Sequence, residues 1–284
     1  MRAALPLALL LGACSPAAAP GQGAPSGPNP SGPTPSGIVS LNPCTDAILA
    51  EVADPARIAA LSAYSSDPSS SSMDVAAARR FPAITGTVEE IAALRPALVI
   101  GGTFTPPATR AALARLGIPL VELPIAQTVT QSETQVRQIA ALAGNPARGE
   151  ALVARIEQAL RKAAPPHGAP VTAIVWQSGG IVPGPDSLIA DLLTRTGFTS
   201  LSAARGLKQA DYLPLERMLV DPPRVILAAS DSPSGENRLL THPVLARLTH
   251  TARARLDPSL LWCGGSTIIR AAERLSAVRR KLAR

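Results

Sequence analysis

Two cysteines are the most reactive side chains in the body of this sequence. Cys44 and Cys263 are the only thiols besides Cys14, and both lie close to predicted strand ends, one in each half of the chain. Two thiols in an oxidising compartment tend to pair, so one hypothesis is a disulfide between them. The alternatives are two separately buried small side chains, or thiolate ligation of a metal complex.

Patterns typical of catalysis are missing. The three histidines, His167, His242 and His250, lie in or near predicted loops and lack metal-ligand spacing. The sequence has no Gly-x-Ser-x-Gly elbow, no phosphate-binding loop and no His-Glu-x-x-His motif. Paired glycines at 179–180 and 264–265 predict turns or close backbone approach. We therefore expect no enzymatic activity, no resident metal and no cofactor.

Aromatic residues make up only 2% of the 284 residues, so their positions are informative. Five of the seven lie on or near loops at predicted strand ends, namely Tyr64, Phe104, Trp176, Tyr212 and Trp262. In open α/β sheets, ligands bind at the carboxyl ends of strands, where large apolar faces suit a bulky ligand. The alternative is that each ring fills the core of its own lobe.

The elements that must position these residues alternate between short apolar runs and helical patterns, which is typical of an α/β fold. The predicted strands are 38–41, 57–61, 97–100, 119–122, 171–175, 224–227 and 260–263. One predicted helix starts at Asn42-Pro43, and the others are 87–94, 105–116, 132–143, 146–163, 187–195, 215–219 and 266–282.

A helix–turn–strand unit recurs at an offset of 127 residues, which aligns Glu89 with Glu216 and Val99 with Ile226. This recurrence fits two Rossmann-like lobes joined by a single long α-helix, with a ligand cleft between the lobes. The predicted organisation is a lipoprotein-type signal peptide 1–13, a Pro/Gly/Ser-rich tether 14–37, an N-terminal lobe 38–145, a connecting helix 146–163 and a C-terminal lobe 164–284.

Composition excludes several classes of protein. With 46% hydrophobic and 17% charged residues, the chain is not a disordered one. The net charge of +7 raises nucleic acid as a partner. The arginines are scattered, however, and the densest basic groups have no neighbouring aromatic residues that could stack on bases. We therefore expect no nucleic-acid partner.

The N-terminus predicts export. A positive start, Met1-Arg2, precedes an apolar run at 3–11 that is too short to span a bilayer. The run ends in Leu-Gly-Ala-Cys, which looks like a lipobox, in which cleavage precedes the cysteine and the thiol of Cys14 is acylated. The alternative is an ordinary secretory signal cut near 17–19. Either route exports the mature chain.

An exported lipoprotein with two α/β lobes joined by a helix resembles the helical-backbone class of ABC-transporter substrate-binding proteins. This class includes cobalamin, iron–siderophore and haem binders. The resemblance covers roughly 38–280 and depends on the strand and capped helix from Ile38, the helix–Pro–strand segment 94–100 and the Gly-capped helix 187–197. It implies a lipid-anchored periplasmic monomer that delivers a small metal-chelate ligand to an ABC permease.

Within this class, one acidic residue on each lobe docks on arginines of the permease. The matching positions are Glu89 and Glu216. A capping box formed by Thr87 and Glu90 would leave Glu89 facing solvent. The alternative is that both are ordinary first-turn carboxylates favoured by the helix dipole.

For the ligand, the resemblance implies a corrinoid first, a ferric siderophore second and haem third. Cobalamin binders press the corrin between aromatic residues of both lobes. Tyr64 could ligate haem iron, and Arg205 or Arg238 could contact an anionic siderophore. The predicted ligand-contacting residues are Asn42, Cys44, Tyr64, Thr103, Phe104, Trp176, Gln177, Arg238 and Trp262. A competing class is a chelatase-like enzyme on a similar scaffold, and a third class is an envelope scaffold without a small ligand.

Overall fold

The computed structural model describes residues 36–165, 168–229 and 242–282. The predicted signal peptide, the lipidation site Cys14 and nearly all of the tether lie outside the described residues, as do His167 and Arg238. Within the described ranges, no helix is both long enough and apolar enough to cross a membrane.

The N-terminal lobe is a five-stranded parallel sheet in the order β3-β2-β1-β4-β5. Its strands are β1 (Ile38–Ser40), β2 (Ile58–Ser62), β3 (Ala83–Ile84), β4 (Leu98–Gly102) and β5 (Leu120–Leu123). Its helices are α1 (Pro43–Val52), α2 (Val75–Ala78), α3 (Val88–Leu94), α4 (Pro107–Arg115) and α5 (Val129–Leu142). Because each crossover covers a face of the sheet, the central strands are apolar and buried.

A single helix, α6 (Pro146–Ala163), follows the N-terminal lobe and has the bounds predicted from the sequence. Its 18 residues span about 27 Å at the usual rise per residue. The buried residues of α6 recur at helical spacing and include Leu152, Ile156 and Ala163. The helix therefore presents one apolar face to its neighbours.

The C-terminal lobe is built on a four-stranded parallel sheet in the order β11-β10-β6-β8, beside an antiparallel pair, β7 and β9. Its strands are β6 (Val171–Gln177), β7 (Ile181–Val182), β8 (Phe198–Ser200), β9 (Asp211–Tyr212), β10 (Val225–Ala229) and β11 (Ala252–Arg255). Its helices are α7 (Leu188–Arg195), α8 (Leu201–Ala204), α9 (Leu215–Val220) and α10 (Thr267–Leu282).

The largest apolar core belongs to both lobes. It joins Leu49 of α1, Ile139 of α5 and Ile156 of α6 to Leu193 of α7 and Leu275 of α10, all of which are buried. Burying one such side chain stabilises the fold by roughly 1.5–3 kcal/mol. The helices between the two sheets therefore form a packed layer common to both lobes.

The local signals explain most helix starts. Asn42 caps α1 with proline at the first helical position. Thr87 and Glu90 form the predicted capping box at α3. Gly197, with φ +83°, follows the end of α7 in the left-handed conformation that glycine adopts without strain.

The 127-residue offset found in the sequence also relates the elements of the structure. It separates the first residue of α3 from that of α9, and the first residue of β4 from that of β10.

The predicted strand at 260–263 is wrong. Residues Pro258–Leu260 form a 3₁₀ turn, and the edge strand of the sheet is β11, a little earlier in the chain. No sequence pattern indicates β11, because Arg253 and Arg255 alternate with alanines and the strand has no apolar run. Charged side chains on an edge strand are a common protection against unwanted pairing. The short elements β3, β7, β8, β9, α2 and α8 were also not predicted.

Candidate functional site

The two lobes are joined at the carboxyl edge of the N-terminal sheet. Asn42 follows β1, and its Oδ1 accepts hydrogen bonds from the amides of Cys44 and Thr45, both at 3.0 Å. This cap places Cys44 in the first turn of α1. Cys263 lies just before α10, and the two cysteines form a disulfide with their Cα atoms 4.8 Å apart. The sulfur of Cys44 is then unavailable as a ligand to a metal complex.

Hydrogen bonds reinforce this junction. The carbonyl of Ser72 accepts from Thr267 Oγ1 at 3.0 Å and from the guanidinium of Arg270. The hydroxyl of Ser132 accepts from the amide of Gly265 at 2.8 Å. A Cβ on Gly265 would lie 2.6 Å from the Ile48 side chain, so the close backbone approach predicted for the paired glycines at 264–265 is present. We call this set of contacts, including the disulfide, the interlobe junction.

The N-terminal lobe exposes two aromatic rings at its strand ends. Tyr64 lies in the 3₁₀ turn after β2 and is 59% exposed. Phe104 follows β4 and is 84% exposed, with Thr103 exposed beside it. Tyr64 borders an open cavity of about 320 Å³, lined also by Ala63, Asp67, Ser70 and Thr85. This lobe therefore offers aromatic faces among hydroxyl groups.

The C-terminal lobe also exposes two rings. Trp262 is 54% exposed and lies next to Cys263 in the interlobe junction. Tyr212 is likewise 54% exposed and packs against Gly180. Tyr212 lines a second cavity of about 290 Å³ with Arg205 and Arg217. Both lobes thus present large aromatic surfaces to solvent.

The structure corrects the prediction for Trp176. This residue is fully buried on β6, inside an apolar cluster of the C-terminal lobe that includes Ile226 and Met218. Its indole Nε1 has no hydrogen-bond partner among the described residues. A side chain in this position packs the lobe and does not face a ligand. Gln177, at the end of β6, remains half-buried.

Of the five aromatic residues near predicted strand ends, Tyr212 is the one that the predicted contact set omits. The sequence places it just before the predicted helix at 215–219, and its strand has only two residues and no apolar run. Its exposure depends on pairing with β7, a contact between segments that are about thirty residues apart. That pairing has no local signal in the sequence.

A buried carboxylate lies behind the Tyr64 turn and was also not predicted. Asp46 in the first turn of α1 is completely buried. Its Oδ2 accepts from the amide of Ser62 at 3.1 Å, from the Ser62 hydroxyl, and from the Ser65 hydroxyl at 2.7 Å. Burial raises the pKa of Asp46 to about 7, although the serine hydrogen bonds lower it. In the sequence, Asp46 is indistinguishable from an ordinary first-turn aspartate.

The two acidic residues aligned by the 127-residue offset are both exposed in first helical turns. Glu89 is exposed on α3, while the neighbouring Glu90 accepts hydrogen bonds from the amides of residues 85–87 and from the Thr85 hydroxyl. Glu216 is exposed at the corresponding place on α9. Only Glu90 of the three has a local capping role.

The two histidines that the structure describes, His242 and His250, belong to no metal-binding cluster. His242 caps a 3₁₀ turn, its Nδ1 accepting from the amide of Val244, and His250 is exposed. Within the ranges that the structure describes, no group of three or more His, Cys, Asp or Glu residues could hold a metal ion.

Comparison with known proteins identifies the family. The family described as periplasmic binding protein matches residues 38–255. Comparison with curated proteins gives no match. Among solved structures, the periplasmic haem-binding protein RhuT from Roseiflexus sp. RS-1 is 22% identical with a TM-score of 0.70, covering 87% of this chain and 98% of that one.

Two proteins of Vibrio cholerae have the same fold. The periplasmic haem-binding protein HutB is 16% identical with a TM-score of 0.71, covering 86% of this chain and 98% of that one. The periplasmic vitamin B12-binding protein BtuF is 18% identical with a TM-score of 0.67, covering 89% and 100%. The structural likeness establishes the fold, and the family match over most of its length shows that this chain belongs to the periplasmic binding protein family.

Proposed function

We propose that this protein is the substrate-binding lipoprotein of an ABC importer and that it captures a corrinoid between its two lobes. The observation that carries the proposal is the exposure of four large aromatic side chains in a chain that has only seven. Two belong to each lobe, Tyr64 and Phe104 to the first and Tyr212 and Trp262 to the second.

Exposed aromatic rings favour a large and partly apolar ligand. A soluble protein normally buries such rings, and exposed ones mark surfaces that a partner covers. Trp262 lies next to Cys263 of the disulfide that joins the lobes. Its exposed ring is therefore close to the place where the two lobes meet. A ligand with two broad faces could contact rings from both lobes at once.

The polar groups around Tyr64 favour a corrinoid over haem. The residues lining its cavity include hydroxyls and the carboxylate of Asp67, but none of the five is a cation. Hydroxyls hydrogen-bond well to the neutral carboxamides at the corrin rim. A haem would bring two carboxylates, which pair best with arginine or lysine. The vitamin B12-binding protein among the similar structures fits this choice.

Haem replaces the ferric siderophore as the second candidate, because the C-terminal lobe offers arginines beside an exposed ring. Arg205 and Arg217 line the cavity beside Tyr212, where their guanidinium groups could donate hydrogen bonds to a carboxylate. Arg205 already pairs with Asp221 at 3.0 Å, which leaves Arg217 as the better partner. The phenol of Tyr64 could coordinate haem iron, and several similar structures are haem-binding proteins. A ferric siderophore is the third candidate, because it also suits exposed rings and arginines.

A chelatase-like enzyme is the competing class. Such a reaction needs titratable groups that contact the substrate. The carboxyl with the most raised pKa, Asp46, is completely buried and cannot reach a bound ligand. Capture and release of the ligand therefore explain the exposed groups better than catalysis does.

Delivery to the permease would use Glu89 and Glu216. Both are exposed in first turns, and one belongs to each lobe. An acidic residue on each lobe gives two points of attraction for basic residues of a permease. The lipid anchor proposed at Cys14 would hold the protein, as a monomer, at the membrane surface on the periplasmic side.

Equilibrium titration of the purified protein tests the ligand. Cyanocobalamin, haemin and a ferric hydroxamate siderophore would each be titrated while absorbance and tryptophan fluorescence are recorded. We expect saturable 1:1 binding of cyanocobalamin that is tighter than that of the other two. Tighter binding of haemin, with a spectrum that changes in Tyr64→Phe, would replace the corrinoid by haem. Binding of none would contradict the proposed ligand class.

A further inference from the structure

Asp46 is buried without a compensating cation. It takes part in none of the ion pairs found among the described residues. Its Oδ1 accepts no hydrogen bond of good geometry there, although the Ser40 hydroxyl lies close enough to lower the pKa of the carboxyl group. Placing a carboxyl group in such an environment costs free energy unless hydrogen bonds offset the loss of water. The cost suggests that the side chain has a role beyond packing.

All the hydrogen bonds of Asp46 Oδ2 go to one short segment. Ser62 is the last residue of β2, and Ser65 lies in the turn that follows it. Both serines are buried, whereas Tyr64, which lies between them, is 59% exposed. The carboxylate therefore holds the segment on each side of Tyr64 and leaves the ring directed to the outside.

The chain that follows this segment is bound to the C-terminal lobe at Ser72, seven residues after Ser65. The Ser72 carbonyl accepts from Thr267 and Arg270 of α10, and Ser72 Oγ lies 2.9 Å from the sulfur of Cys263. Asp46 itself is two residues from Cys44, the other half of the disulfide. The Tyr64 turn is thus held between two parts of the interlobe junction.

We propose that Asp46 is a positioning residue that fixes the Tyr64 turn in the orientation required for ligand contact. This inference rests on the proposed function, since it assumes that Tyr64 contacts the ligand. The effect is indirect, because Asp46 does not reach the ligand. Its hydrogen-bond partners Ser62 and Ser65 lie on either side of Tyr64, which does. Burial keeps these hydrogen bonds out of competition with water, which makes the turn stiff.

The first arm of the test needs no ligand. Hydrogen exchange of the full chain would be compared among wild type, Asp46→Ala and Asp46→Asn. We expect exchange of the amides at 62–70 to accelerate about tenfold in Asp46→Ala, because the hydrogen bonds accepted by the carboxyl group are lost. Asp46→Asn keeps a carbonyl acceptor and should restore part of the protection. Unchanged exchange at 62–70 in Asp46→Ala would overturn the proposal.

The second arm uses ligand affinity, with cyanocobalamin and haemin as probes. Asp46→Ala should weaken binding about tenfold in the wild-type background and less than about twofold in a Tyr64→Ala background. Equal losses in both backgrounds would show that Asp46 acts through general stability and would overturn the proposal. If the wild type binds neither probe, the proposed function fails, and the exchange arm alone decides whether Asp46 orders the turn.

Discussion

Cys44 and Cys263 join the first turn of α1 to the segment just before α10, across 219 residues of chain. The bond therefore closes nearly the whole folded part of the protein into one loop. Tightening so long a loop removes much of the conformational freedom of the unfolded chain. The covalent link also lies beside Trp262, one of the exposed rings.

Loss of this bond should lower stability. We expect the Cys44→Ser, Cys263→Ser double variant to lose about 3–5 kcal/mol of unfolding free energy, since the unfolded chain regains its freedom. Urea denaturation with and without reductant measures the loss, and the double variant is the control that reductant should not affect. The prediction would be contradicted if the wild-type denaturation curves were identical with and without reductant. Peptide mapping of the unreduced protein should then also find Cys44 and Cys263 in unlinked peptides.

The two tryptophans should separate binding from stability. Trp262→Ala should weaken ligand binding about tenfold, because a half-exposed ring that covers a ligand contributes directly to affinity. Trp176→Phe should reduce unfolding free energy by about 1–3 kcal/mol and leave affinity unchanged, because its ring is buried. Titration and urea denaturation of both variants give the comparison, and a loss of affinity confined to Trp176→Phe would reverse our assignment.

Neighbouring glutamates offer a similar contrast for docking. Reversal of charge in Glu89→Arg with Glu216→Arg should abolish transport in cells while ligand affinity stays the same. Glu90→Ala should instead cost about 1 kcal/mol of stability, since it removes the capping box, and should spare transport. An uptake assay beside a binding titration measures both effects. Full uptake by the charge-reversed variant would exclude these residues as docking points.

Asp46 should make stability fall as pH rises. Its pKa is raised from 3.8 to about 7, so the folded chain binds the proton more tightly than the unfolded chain does. The stabilisation that results from this tighter proton binding is fully present below pH 3.8. It is lost as the pH rises through about 7, by up to about 1.4 kcal/mol for each pH unit. No charged side chain among the described residues contributes to the shift.

The measurement is the difference in unfolding free energy between wild type and Asp46→Asn from pH 4 to pH 8. We expect this difference to change steadily between about pH 4 and 7, because the asparagine cannot titrate. A difference that stays constant with pH would show that Asp46 keeps an ordinary pKa.

Periodicity and caps predicted the fold because they are local. The helix Pro146–Ala163 needs only its own amphipathic spacing, and α3 needs only Thr87 and Glu90. The strand β11 was missed because its pairing with β10, a contact between distant segments, stabilises a segment without apolar periodicity. The two-residue strand β9 was not predicted for the same reason, because it is stabilised by its pairing with the distant strand β7.

The exposure of the aromatic residues was predictable in part. Scarce rings near predicted strand ends indicated Tyr64, Phe104 and Trp262, which are exposed. The same reasoning failed for Trp176, because both faces of β6 are covered by apolar side chains. Ala173 and Val175 belong to the core common to both lobes, and Ile174 and Trp176 belong to the second cluster. Asp46 was not predictable, since its partners are serines that only the folded β2 brings to it.

Corrinoid capture between the lobes is tested most directly by measuring affinity for cyanocobalamin. The wild type, Tyr64→Ala and Trp262→Ala would be measured in parallel. We predict saturable 1:1 binding by the wild type and a loss of affinity of about tenfold in each variant, one from each lobe. Stability should be nearly unchanged, since both side chains are more than half exposed. Wild-type affinity in both variants, or no binding by the wild type, would contradict capture of a corrinoid between the lobes.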